Sequence, residues 1–208
     1  EVDVNIPLKT INRHGLIAGA TGTGKTKTLQ VFVEQLSHKG IPTLVMDIKG
    51  DLSGIAVEGE QNDKINERYA KTKLPYQPQS FPVELMTISA EKGLKLRATV
   101  TEFGPVLLSK ILGLNDTQSS IMSIVFKYAD DKGLPLIDLD DLKKTLQYVT
   151  DNDEGKKELA SNYGAISPAS LGAILRSIVA MEQQGATSFF GEPSFDVEDL
   201  LQTRGGKG

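Results

Sequence analysis

The sequence predicts an α/β fold: a partial, mostly parallel sheet carrying a phosphate-type loop, joined to a helical subdomain. Three observations lead there. The octet Gly19-Ala20-Thr21-Gly22-Thr23-Gly24-Lys25-Thr26 satisfies the pattern G-x-x-x-x-G-K-[ST] at every position. An apolar run precedes it and an amphipathic stretch follows it, which is the strand–loop–helix order this loop requires. From Pro105 onward the apolar residues recur at a helical period instead.

The elements follow in order. Gly15-Leu16-Ile17-Ala18 reads as a short buried strand leading into the loop. After Lys25, the residues Leu29, Phe32, Val33 and Leu36 form one apolar helical face, and Gly40 is placed to end that helix as a left-handed cap. Ile41 to Met46 reads as a second strand, with Pro42 at its start, where a missing N–H does least harm. Strand, helix and strand in this order imply a right-handed crossover and a parallel sheet. Gly59 to Asp63 opens a polar stretch with a short helix near Ile65 to Ala70, closed by Pro75, Pro78 and Gln79. Val83 to Ile88 reads as a strand, and Gly93 as the turn of a hairpin returning along Leu94 to Val100.

Four helices are then expected. The first starts at Pro105 and stops at Gly113. The next is capped by Asp116 and carries Ile121, Ile124, Val125 and Tyr128 on one face. The third is capped by Asp138 and runs through Tyr148. The last runs from Ser167 or Pro168 to Gln184, with Leu171, Ile174, Leu175, Ile178 and Met181 facing inward. The expected organisation is a nucleotide-binding α/β part at 1–104, a helical subdomain at 105–190 and the start of a return to the α/β part at 191–208.

Composition bounds the function. Hydrophobic residues make up 39% and charged residues 24% of 208, which excludes a wholly disordered chain. A net charge of −4 argues against bulk electrostatic coating of nucleic acid. No apolar run approaches the roughly 18 residues needed to span a bilayer, so no membrane partner is expected. The absence of cysteine excludes disulfides and thiolate metal sites and suits a reducing cytoplasm, the expected location.

The octet names the expected binding residues: Gly19, Ala20, Thr21, Gly22, Thr23, Gly24, Lys25 and Thr26, with Lys27 beside them. Glycines let the backbone curl so that N–H groups meet phosphate oxygens at a helix N-terminus. Lys25 would reach the β- and γ-phosphates of ATP, and the Thr26 hydroxyl would ligate Mg²⁺. Hydrolysis further needs an acid at the end of another apolar strand and a carboxylate to activate water. No segment holds four apolar residues followed by Asp-Glu. Leu136-Ile137-Asp138 continues into an amphipathic helix, which makes Asp138 an N-cap. Asp47, ending Leu44-Val45-Met46, is the remaining candidate for a catalytic acid, with Asp51 and Lys49 nearby; a loop of solvated acids is the alternative. The chain opens without Met and stops at Gly205-Gly206-Lys207-Gly208, so it is expected to be a piece of a longer protein whose general base lies outside it.

Arg13 through Thr26, followed by Asp47-Ile48-Lys49-Gly50-Asp51-Leu52-Ser53-Gly54, resembles the HerA-like branch of the FtsK–HerA ATPases, and more closely its bacterial YjgR-type helicases. Leu96-Arg97-Ala98-Thr99-Val100, Phe103 to Leu108, Gln183 to Ala186 and Phe189-Phe190-Gly191-Glu192-Pro193 extend the likeness over nearly the whole chain. The resemblance implies the N-terminal portion of a RecA-like core with a helical insertion. It also implies ATP and Mg²⁺ as ligands, hydrolysis coupled to movement on DNA, and a hexameric ring of the parent protein. Two other readings stand beside it: a phosphotransferase, against which the scattered Arg13, Arg68, Arg97, Arg176 and Arg204 count, and a module that binds nucleotide without hydrolysing it. His14 reads as a structural histidine. Tyr69, Tyr76 and Phe81 read as packing residues, and the acids from Asp130 to Glu154 as solvated helix surface.

Overall fold

The computed structural model describes residues 5–73 and 76–208, so Pro75 of the polar stretch lies outside the described residues. These residues form seven α-helices and one two-stranded parallel sheet, an α/β class that is mostly helical. They divide into two compact units, one of Glu1–Val83 with Val197–Gly208 and one of Glu84–Asp196.

In the first unit, α1 (Lys25–His38) follows the glycine-rich loop, and Gly40 beyond its end has φ 71°, the left-handed conformation expected of a cap. Helix α2 (Asp63–Thr72) starts where the Asn62 side chain accepts the Ile65 N–H at 3.0 Å. Leu36, Leu52 and Phe81 are buried. The last residues fold back on the far end of α1: Gly208 N–H donates to the Ser37 carbonyl at 3.0 Å, and the Lys207 ammonium lies 4.9 Å from the Phe81 ring centroid.

The parallel sheet expected around the loop is not formed by these residues. Residues 15–18 and 41–46 belong to no sheet, and Leu16 and Met46 are 90% and 81% exposed. A strand persists where its N–H and C=O groups meet a neighbouring strand, and no described segment of this unit supplies that ladder. The apolar pattern is therefore present without the partners that would bury it.

In the second unit, β1 (Met86–Thr87) pairs with β2 (Leu94–Lys95) in register Met86 to Leu94 and Thr87 to Lys95. The pair is parallel, which corrects the expected hairpin. The connection 88–93 carries the chain back before it pairs, and it is held closed by the Lys95 ammonium donating to the Ser89 and Glu91 carbonyls. Gly93 is required there, because a Cβ would lie 2.9 Å from the Leu85 carbonyl oxygen.

Five helices follow. Helix α3 (Val100–Ile111) starts in a capping box between Thr99 and Glu102 and breaks at Gly104 (φ 76°, ψ 163°), so the predicted start at Pro105 is the start of its second segment. Residues 96–100 therefore lead into a helix and do not continue as a strand. Helix α4 (Asp116–Asp131) is capped by Asn115 rather than Asp116, because Asn115 exchanges hydrogen bonds with Gln118. Helix α5 (Leu139–Asp151) is capped by Asp138 as predicted. Helix α6 (Asp153–Asn162) was not expected: its polar sequence commits only Leu159 and Gly155 to the interior. Helix α7 (Pro168–Gln183) starts from the Ser167 cap. One core unites them, with Leu108, Met122, Val125, Leu142, Leu146, Ile174 and Ile178 fully buried.

Two segments distant in sequence close this unit. Ala98 N–H donates to the Phe189 carbonyl at 3.1 Å, Gly191 N–H to the Ala98 carbonyl at 3.0 Å, and Phe195 N–H to the Arg97 carbonyl at 2.9 Å. The Arg97 guanidinium donates to the Glu192 and Phe190 carbonyls at 2.7 and 3.2 Å. Phe103, Phe189 and Phe190 stack edge to face beside this bridge.

Candidate functional site

The loop from Gly19 to Thr26 is shaped by its glycines. Gly22 and Gly24 have φ of 81° and 95°, a region that residues with a Cβ rarely adopt. Gly24 is the N-cap of α1 and no side chain caps that end, so the first-turn N–H groups and the positive end of the helix dipole remain available to an anion. Gly19 packs closely: a Cβ would lie 2.5 Å from Thr23 Oγ1.

The polar side chains close the loop on itself. Thr23 donates to the Ala20 carbonyl from Oγ1 at 2.8 Å and from its N–H at 3.4 Å. Lys25 turns back over the loop, its ammonium donating to the Gly19 and Ala20 carbonyls at 2.9 and 2.8 Å. Thr28 Oγ1 donates to the Gly24 carbonyl at 3.0 Å. Thr26, the second residue of α1, has no hydrogen bond from its hydroxyl among the described residues, which leaves that oxygen open to a ligand. Thr21 and Lys27 are exposed at the loop and the first turn.

Asp47 is exposed, and its carboxylate gathers the backbone that follows it. Its Oδ1 accepts the N–H groups of Lys49, Gly50 and Asp51 at 3.2, 2.8 and 3.3 Å, and its Oδ2 accepts that of Leu52 at 2.9 Å. These bonds, that from Leu52 first, hold its pKa below the ordinary aspartate value. Gln30 on α1, buried at 6% exposure, donates to the Asp51 carbonyl at 2.9 Å. Sequence reasoning missed Gln30, although a signal existed: it stands with Val33 and Ser37 at helical spacing, a polar side chain on the inward face of α1.

Other sequence candidates fall into structural roles. Asp138 Oδ1 accepts the Asp141 N–H at 2.9 Å, and the preceding Leu136 and Ile137 carbonyls are bonded to the start of α3. Tyr69 and Tyr76 lie against each other at 4.8 Å, and Phe81 meets His38 edge to face at 5.0 Å. His14 is exposed. Among the described residues no group of three or more His, Asp or Glu is placed to hold a metal ion, and no helix is long and apolar enough to cross a membrane.

The family model described as helicase HerA-like, C-terminal, matches residues 1–208. The chain belongs to this family. Its HerA-like character therefore spans both the glycine-rich loop and the helical unit, and carries a helicase-type ATPase assignment at the coarse level. The description names the C-terminal region of HerA-like helicases, so the expectation of an N-terminal portion gains no support from it. No curated protein and no solved structure matches the HerA-like chain.

Proposed function

We propose that this HerA-like chain is the ATP-binding portion of a phosphate-loop ATPase that uses Mg²⁺. The observation that carries the reading is the uncapped start of α1 behind a left-handed Gly24, with Lys25 and Thr26 as its first two residues. In the reading, Gly19 to Thr26 wrap the phosphates, with Lys27 at their edge. Lys25 exchanges its two carbonyl partners for β- and γ-phosphate oxygens, and Thr26 Oγ1 ligates Mg²⁺. Bound Mg²⁺ would supply charge neutralisation at the phosphates.

Movement on DNA, a hexameric ring, a RecA-like core in the parent protein and the closer likeness to YjgR-type helicases belong to the same proposal, supported by family membership and by the likeness of the sequence segments. The engagement of both Asp47 oxygens favours a chain that binds nucleotide and turns it over slowly.

Titration of residues 1–208 with ATP–Mg²⁺ tests the reading. We expect saturable binding that Lys25→Ala weakens at least tenfold, with an unchanged far-UV circular dichroism spectrum and little multiple turnover by either protein. Equal affinity of the two proteins would sink the loop assignment. Rapid turnover by the unmutated chain would show that its own carboxylates suffice.

A further inference from the structure

Asp47 and Gln30 are joined by one continuous set of contacts. The carboxylate of Asp47 gathers the N–H groups of residues 49–52, and the left-handed Gly50 (φ 73°) lets the backbone turn around it. The loop so fixed buries Leu52 and presents the Asp51 carbonyl to the Gln30 amide. Gln30 lies on α1, five residues after Lys25, and a helix transmits displacement as a rigid body over that length. A buried amide that loses its acceptor must be left unsatisfied or move, so the position of the loop and the position of α1 are coupled.

We propose that Asp47 and Gln30 form a positioning device that fixes α1, and with it Lys25 and Thr26, for a bound nucleoside triphosphate. The inference rests on the nucleotide reading of the glycine-rich loop. It makes Asp47 a positioning residue that acts through the backbone of residues 49–52 and through Gln30. Oδ1 accepts three of the four N–H groups and Oδ2 one, and these bonds stabilise the carboxylate charge, which makes Asp47 a weaker base than an ordinary aspartate.

The test is ATP–Mg²⁺ affinity of the 208-residue chain across a mutant cycle. Gln30→Met keeps the volume and the helix propensity while removing the donor, and Asp47→Ala removes the organising carboxylate. Each is expected to weaken binding roughly three- to tenfold, the range for one lost hydrogen bond. The double variant is expected to bind within about twofold of the weaker single variant, because both changes cut the same connection. Asp47→Asn, whose Oδ1 still accepts the N–H groups of residues 49–51 while its Nδ2 faces the Leu52 N–H that Oδ2 accepted, is expected to recover part of the affinity that Asp47→Ala loses, an outcome that a purely negative-charge or base role would not give.

Where Asp47→Ala fails to give a cooperative thermal transition, Gln30→Met against the unmutated chain decides. If the unmutated chain binds, Lys25→Ala does not, and Gln30→Met binds as tightly as the unmutated chain, the device is refuted while the nucleotide reading stands. Additive losses in the double variant refute it too. If the unmutated chain does not bind ATP–Mg²⁺, both readings fall.

Discussion

Asp138 and Asp47 each end a short apolar run, yet the structure gives them different tasks. Asp138 stands at the start of α5, where its Oδ1 accepts the Asp141 N–H while Asp141 Oδ2 accepts the Asp138 N–H at 3.4 Å. Both bonds satisfy donors that a helix start leaves unpaired. Asp138→Ala is expected to cost about 1 kcal/mol, seen as a lower midpoint in urea unfolding, with ATP–Mg²⁺ affinity unchanged. The capping role was legible because Asp138 precedes an amphipathic helix. The local role of Asp47 was not, since it depends on how residues 48–52 turn, and an isolated Asp-x-x-Gly-Asp string admits both a solvated loop and a self-bonded one. At the glycine-rich loop the residue types were legible, whereas the pair of carbonyls that hold Lys25 was not, because side-chain placement in a turn follows from backbone angles.

At the scale of elements, helices were read more faithfully than strands. Periodicity and caps are local: Asn62, Asn115, Asp138 and Ser167 each sit within three residues of the N–H they accept, so the sequence contains both partners. Helix α6 escaped because its sequence is polar and its cap, Asn152, directly follows the end of α5. Strands need a partner from elsewhere in the chain, and neither the pairing direction of β1 and β2 nor the unpaired state of residues 15–18 and 41–46 is written in their own residues. The helical core offers a direct measure of element packing. Leu146 on α5 is fully buried among side chains of the same cluster. Leu146→Ala is expected to lower stability by about 2–5 kcal/mol, measured by chemical denaturation followed by circular dichroism at 222 nm.

At the scale of the whole molecule, the burial is unequal between the two units. The continuous core belongs to Glu84–Asp196, whereas the other unit buries Leu36, Leu52 and Phe81 and leaves several large apolar side chains exposed. A unit with its own core is expected to fold alone. Residues 84–196 expressed by themselves should be helical and unfold in one cooperative transition; a broad, non-cooperative melt would show that the core depends on the rest of the chain. Salt bridges add little to this expectation, because pairs such as Lys127–Asp131 are largely open to solvent and screened by it.

The hydrogen bonds that join Ala98 to Phe189 and Gly191 carry a consequence for chain economy. They hold residues 97–98 and 189–195 side by side through an isolated bridge, one ladder spacing apart, about 4.8 Å. Within this unit, the chain between them is enclosed as one long loop whose two ends are tied together. Closure entropy rises only slowly with the length enclosed, so lengthening or shortening a helix inside that enclosure leaves the neck unchanged. Helices α3 to α7 thus lie inside one closed loop whose neck is formed by residues 97–98 and 189–195.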